Sequence, residues 1–191
     1  MRLNVARTLP RSAANGPGER FVVWVQGCGL ACPGCWNPDT WSFARREMWE
    51  VEDLVATILE TEGIEGVTFT GGEPFAQARA LAEVARCVKE AGLSVFVFTG
   101  HELDELSEGD QPRLLDLADV VVAGRYVEAE RAAGLAWRGS SNQQVHFLTA
   151  RYGPEQLKAT PMAEFHLAAD GSMVVTGFPV EDPLLGVGGQ G

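Results

Sequence analysis

The chain has 191 residues, 46% hydrophobic and 21% charged, a composition that suits one globular domain and excludes a disordered chain. Its formal net charge is −11 without a basic stripe, which excludes a sequence-independent nucleic-acid binder, because such a binder needs cations to displace counterions. No apolar run approaches the roughly 20 residues of a membrane span, and residues 1–20 lack the apolar centre of a secretory signal, so a cytoplasmic protein with no membrane partner is expected.

Taken in chain order, "FVVWVQ" (21–26) reads as a short strand rich in β-formers. A cysteine-rich loop follows, to about Trp41. Residues 51–63 place Val51, Leu54, Val55, Ile58 and Leu59 at helical spacing and end on Gly63. "GVTFT" (66–70) is a second strand, followed by "GGEP". Residues 76–91 are helical up to Gly92, and "LSVFVFT" (93–99) is a third strand. Residues 101–118 carry one or two short helices split near Pro112. "DVVVAG" (119–124) and "QVHFLT" (144–149) are a fourth and fifth strand, joined by a polar loop. The stretch 163–178 reads strand, Asp170-Gly171 turn, strand, the pattern of an antiparallel hairpin. The tail "GVGGQG" (186–191) reads as frayed.

Strands alternating with helices predict α/β architecture and parallel pairing. Five or six mostly parallel strands are too few for a closed eight-stranded barrel, so an open partial (β/α) barrel with a small C-terminal β-hairpin is expected. A single domain spans 1–191, with its core at about 16–149 and an appendage at about 150–191. Active-site loops belong at the carboxyl ends of such strands, where both the cysteine loop and "TGGEP" fall.

Cys28, Cys32 and Cys35 have the spacing C-x3-C-x2-C, and with no secretory signal they do not read as disulfides. Three readings stand. Incidental thiols are one. Structural zinc is another, and it would need Cys87 or a distant His101, His146 or His166 as a fourth ligand. Cys87 sits mid-helix and reads as a small core residue. An iron–sulfur cluster is the third. A four-iron cluster usually takes four cysteines, so three leave one iron open to an outside ligand. Gly29, Pro33 and Gly34 let backbone wrap close to the sulfides.

Cysteines at this spacing after the first strand, together with "TFTGGEP" (68–74), resemble the radical S-adenosylmethionine superfamily. The finer resemblance is to the anaerobic ribonucleotide reductase-activating proteins, with the pyruvate formate-lyase-activating enzymes as cousins. "GPGER" (16–20), "GCGLACPGCWNPDTW" (27–41), "FTGHELDEL" (98–106) and "RGSSNQQV" (138–145) match blocks of that group in order.

The resemblance implies a radical S-adenosylmethionine domain with two cofactors, one [4Fe–4S] cluster and S-adenosylmethionine. It implies Cys28, Cys32 and Cys35 as the iron ligands. Gly71, Gly72 and Glu73 would hold the cofactor's amino group, and Trp36 and Asn37 would line its adenine side. Reductive cleavage then gives methionine and a 5′-deoxyadenosyl radical, which takes a hydrogen atom from a glycine of a partner enzyme. A glycyl-radical enzyme and an electron donor such as flavodoxin or ferredoxin are the implied partners. Modification of a peptide or small metabolite is the alternative chemistry. A non-catalytic iron–sulfur electron-transfer or metal-binding module is the alternative from another class. Trp24, Trp36 and Trp41 read as an apolar lining or as ordinary core, and 138–143 as a cofactor or partner contact or as a solvated turn. One departure stands out: Ala123 ends "ADVVVA", where the group usually has an acidic residue.

Overall fold

The computed structural model describes residues 1–178 apart from positions 133, 159, 168, 169 and 172, so the expectation for the tail at 186–191 lies outside the described residues. The strands are β1 (Arg2–Ser12), β2 (Arg20–Val25), β3 (Glu47–Glu50), β4 (Gly66–Gly71), β5 (Ser94–Phe98), β6 (Val120–Ala123), β7 (Gln144–Phe147), β8 (Ala163–Leu167) and β9 (Met173–Gly177). The helices are α1 (Val51–Glu60), α2 (Ala78–Glu90) and α3 (Gln111–Leu117). Pro112 does not split a helix. It lies in the first turn of α3, where its missing N–H costs no bond.

Seven strands form one sheet in the order β3-β1-β2-β4-β5-β6-β7, and β8 and β9 form a separate hairpin. The centre, β2-β4-β5-β6, is parallel, while β1, β3 and β7 pair antiparallel. Two strands exceed the sequence expectation. β1 escapes a pattern reading because irregularities between Val5 and Arg7 and between Leu9 and Ser12 break its alternation, and Pro10 argues against a strand. β3 is only four residues and runs straight into α1.

The three α-helices of the described residues pack on one face of the sheet. Val51, Leu54 and Ile58 of α1, Leu81 and Val84 of α2, and Leu114 of α3 share one core with alternate strand residues such as Phe21, Val23, Phe69 and Val97. The intervening residues face the other way: Val22 and Trp24 of β2, Phe96 of β5, Val120 and Val122 of β6. Period-two alternation thus sends one set of side chains to the helices and leaves the opposite face to the loops.

Arg20 opens β2 on that opposite face and is fully buried. Its guanidinium donates to the Thr68 hydroxyl (2.7 Å), the Ser94 hydroxyl (2.9 Å), and the carbonyls of Pro17 (3.0 Å) and Val67 (2.7 Å). Burial pulls its pKa down to about 10, still charged at neutral pH. Thr68 in turn donates to the Asn15 carbonyl, so Arg20 ties the loop before β2 to β4 and β5. Arg20→Ala should strand these acceptors and destabilise the chain by about 3–5 kcal/mol, measured by urea unfolding.

The hairpin docks back onto the loop after β1. Glu164 of β8 accepts from the Ser12 hydroxyl and from the amides of Ala13 (3.0 Å) and Ala14 (3.1 Å), and Asn15 donates to Thr176 of β9 (2.7 Å). Burial works against the Glu164 charge, but the Ser12, Ala13 and Ala14 donors outweigh it and hold its pKa below the ordinary 4.5. A depressed carboxylate stabilises above its unfolded pKa and loses that contribution as pH falls through the folded value. Amide exchange in β8 should therefore quicken as pH drops below 4.5 once the intrinsic rate is divided out, and Glu164→Gln should abolish that dependence.

Candidate active site at the carboxyl ends of the parallel strands

The chain leaves β2 through Gly27, whose φ of +107° suits glycine. Gly27 donates to the Thr40 carbonyl (2.8 Å) and Cys28 to that of Trp41 (3.0 Å), which pins the base of the cysteine loop. Within the loop the backbone turns left-handed at Ala31 (φ +43°) and Gly34 (φ +69°), and Cys35 donates to the Cys32 carbonyl (3.1 Å). Amides then face sulfur. Asn37 N–H donates to Cys35 Sγ (3.4 Å). Burial raises the Cys28 thiol pKa, and the amides of Leu30 and Ala31 oppose that rise. Cys28, Cys32 and Cys35 are free and half-buried, and all three line one pocket.

Gly71 and Gly72 bring the end of β4 across the end of β2. Gly71 has φ +94°, and a Cβ there would sit 2.7 Å from the Trp24 Cα. A Cβ on Gly72 would overlap the Gly27 carbonyl oxygen. Gly72 donates to Val25 (2.8 Å) and Glu73 N–H to Gly27 (2.9 Å), closing the crossing. The two glycines thus serve a backbone-on-backbone approach between strands.

Glu73 is delivered into the pocket wall with 4% of its surface exposed. One carboxylate oxygen accepts from Phe75 N–H (2.9 Å) and the Thr99 hydroxyl (2.9 Å), the other from Gly100 N–H (3.0 Å). A carboxylate offers about four acceptor positions, so one remains on Oε2. Burial raises the Glu73 pKa, against the pull of the Gly100 and Phe75 amides, His101 and the Thr99 hydroxyl.

Of the three tryptophans, Trp36 and Trp41 line the pocket. Trp24 packs with Ala6 and Val22 on the sheet, under the Arg7 guanidinium at 4.7 Å. Trp36 lies edge-on to Phe178 (5.7 Å between centroids) and beneath Arg131 (4.5 Å). Asn37 lines the same pocket, with its side-chain oxygen accepting from Arg7 (2.8 Å).

The segment 138–143 is neither a free turn nor wholly given to the pocket. Gln143 accepts from Gly139 N–H (2.8 Å) and donates to the Gly124 carbonyl (2.9 Å), and Asn142 donates to that of Arg125 (2.8 Å). Most of its polar groups clasp the loop after β6, while Gly139 and Gln143 reach the pocket. Ala123 packs with the helix-side core, and its neighbour Gly124 borders the pocket. Cys87 is a correction. It is half-buried on α2 beside Arg86 (3.2 Å) rather than in the core, because it lies at the margin of the helix's buried face. It is not among the residues lining the pocket with the other cysteines.

Thr99 and Gly100 fall in the "FTGHELDEL" block without a role assigned from sequence, and Phe178 falls in no such block. The rule that sites form at the carboxyl ends of parallel strands points to Thr99 and Gly100, just past β5. No sequence signal points to Phe178.

Residues 14–146 match the 4Fe-4S single cluster domain family. Over 147 residues the chain is 38% identical to the anaerobic ribonucleoside-triphosphate reductase-activating protein of Salmonella typhimurium, covering 73% of this chain and 95% of that protein. The chain belongs to the family of anaerobic ribonucleoside-triphosphate reductase-activating proteins. The Escherichia coli K12 member is 34% identical over 76% of this chain and 99% of its own, and that of Enterobacteria phage T4 is 31% identical over 75% and 93%. Among solved structures, QueE from Escherichia coli is similar at a TM-score of 0.44 and 21% identity, over 52% of this chain and 53% of that one.

A reductase-activating protein of this family is an enzyme with two cofactors, a [4Fe–4S] cluster and S-adenosylmethionine. The donor chemistry suits the cluster. Three free sulfurs line one pocket, and backbone amides at Leu30, Ala31 and Asn37 face two of them, although among the described residues no three metal-ligating side chains stand together as a ready-made metal site. It suits the second cofactor through the acceptor left open on buried Glu73, which could take an N–H of that cofactor's amino group.

Proposed function

We propose that this chain activates a glycyl-radical enzyme of the class its relatives are named for. The observation that carries the reading is the convergence of Cys28, Cys32, Cys35 and Glu73 on one pocket at the ends of β2 and β4. Bound there, the reduced cluster and S-adenosylmethionine supply a reductive cleavage that leads to hydrogen-atom abstraction from a substrate glycine. Cys28, Cys32 and Cys35 would hold three irons, and S-adenosylmethionine would complete the coordination of the cluster. Gly71 and Gly72 set the approach of Glu73, which accepts from the amine. Trp36 and Asn37 stand on the adenine side. The aromatic walls of Trp36, Trp41 and Phe98 keep water from the reacting atoms.

The reading includes one domain over 1–191 with the sheet curled as an open partial barrel, which the gathering of the three described α-helices on one face supports. It also includes a cytoplasmic setting and an electron donor such as flavodoxin or ferredoxin. No helix among the described residues is long and apolar enough to cross a membrane.

The test is anaerobic reconstitution with iron and sulfide, followed by dithionite and S-adenosylmethionine. The expected products are 5′-deoxyadenosine and, with an anaerobic ribonucleotide reductase present, a glycyl doublet in the spin-resonance spectrum. Absence of 5′-deoxyadenosine would sink the enzymatic reading. Cleavage that never couples to a reductase would move the substrate to a peptide or small metabolite.

A further inference from the structure

The β8–β9 hairpin lies beyond residue 146, where the match to the family ends. Its two faces differ. Glu164 and Thr176 point to the body and are held by Ser12, Ala13, Ala14 and Asn15. On the opposite face the register sets Phe165 against Val175 and Leu167 against Met173. That face is apolar and open: Phe165 is 53% exposed, Leu167 76% and Met173 53%.

The hairpin is also part of the pocket. Phe178 directly follows β9, its N–H donates to the Met162 carbonyl (2.7 Å), and its ring reaches the pocket against Trp36 and Phe98. One short element therefore runs from the wall of the site to an apolar ledge that no other described residue covers.

We propose that this ledge docks the protein substrate, seating the glycyl-radical enzyme so that its glycine-bearing segment enters beside Phe178. The inference rests on the function proposed above. A backbone glycine within a large enzyme reaches a recessed site only if the surface around it rests on the rim, and the hairpin is rim and wall at once. Four apolar side chains cover a few hundred Å² at most, well below the roughly 1,200 Å² of a stable interface, so the ledge alone does not hold a second copy of this chain. Joined to the pocket mouth, it suits a transient enzyme–substrate contact, released after each activation.

The test pairs Leu167→Ser with Met173→Ser in the full-length chain, two substitutions outside the pocket. The partner is the anaerobic ribonucleotide reductase from the same genome. The expected result is a KM for the reductase raised at least tenfold, with maximal glycyl-radical yield and dithionite-driven 5′-deoxyadenosine formation both unchanged. Wild-type KM in the variant overturns the docking role and leaves the functional reading intact. Parallel loss of uncoupled 5′-deoxyadenosine formation overturns it too, by making the face structural. A wild-type dimer that the two substitutions split into monomers assigns the ledge to a second copy and overturns it. No glycyl radical from the wild-type chain overturns the functional reading, and the docking proposal with it.

Discussion

Cys32→Ala should leave a folded chain that holds no stable cluster, whereas Cys87→Ala should reconstitute like the wild type. On the proposed assignment three protein sulfurs would serve four irons, so no spare ligand would cover the loss of one. Cys32 lies in a loop that shares the pocket, so its loss removes little packing and its effect falls on iron, sulfide and cluster absorbance. Cys87 sits on α2 beside Arg86, outside the pocket lining. Near-complete iron loss in one variant and none in the other is the expected contrast. Equal loss in both would return Cys87 to the ligand set and revive a closed four-cysteine site.

Glu73→Gln should weaken S-adenosylmethionine binding by about tenfold to a hundredfold while the cluster stays in place, the scale of one hydrogen bond to a charged group. The substitution removes the carboxylate charge that would face the cofactor's amino group. It also turns an amide N–H₂ toward donors, since Thr99, Gly100 and Phe75 all donate to this carboxylate. Burial raises the Glu73 pKa above the ordinary carboxylate value. The charged form is thus the costly one, and its stability penalty sets in as pH rises through the unfolded pKa. Cofactor binding should fade as pH falls through the raised value, at a pH where an exposed glutamate would still be ionised. In calorimetry on the reconstituted protein, the Gln variant should bind weakly with no such acid limb. A wild-type profile flat from pH 5 to 8 alongside a strongly binding Gln variant would remove Glu73 from the cofactor's grip.

The parts of the site legible in sequence are those marked by punctuation. Three cysteines among glycines and a proline, directly after a strand, signal a ligand loop without knowledge of the fold. "TGGE" at the end of the next strand signals a tight backbone, but the partner in that approach is Gly27. A sequence does not show which chain segment lies opposite a glycine. The parallel centre was legible because each of its strands is a short run of β-formers between helices. β1 was not, because its irregular pairing with β2 destroys the period-two signal. Phe178 was the least legible of all. Its place in the pocket depends on Glu164 reaching Ser12 across 152 positions of chain, a long-range contact that leaves no local mark.

The order of the pocket's parts along the chain has a consequence for biosynthesis. Cys28, Cys32 and Cys35 leave the ribosome long before Phe178, the last of the described residues to line the pocket. At synthesis rates of about 5–20 residues per second, the thiols wait on the order of 10 seconds or more for the wall that encloses them. Neither β4, which leads into Glu73, nor the hairpin is folded when the sulfurs emerge. A pulse of oxidant during translation should therefore damage these thiols in the newborn chain more than in the finished one.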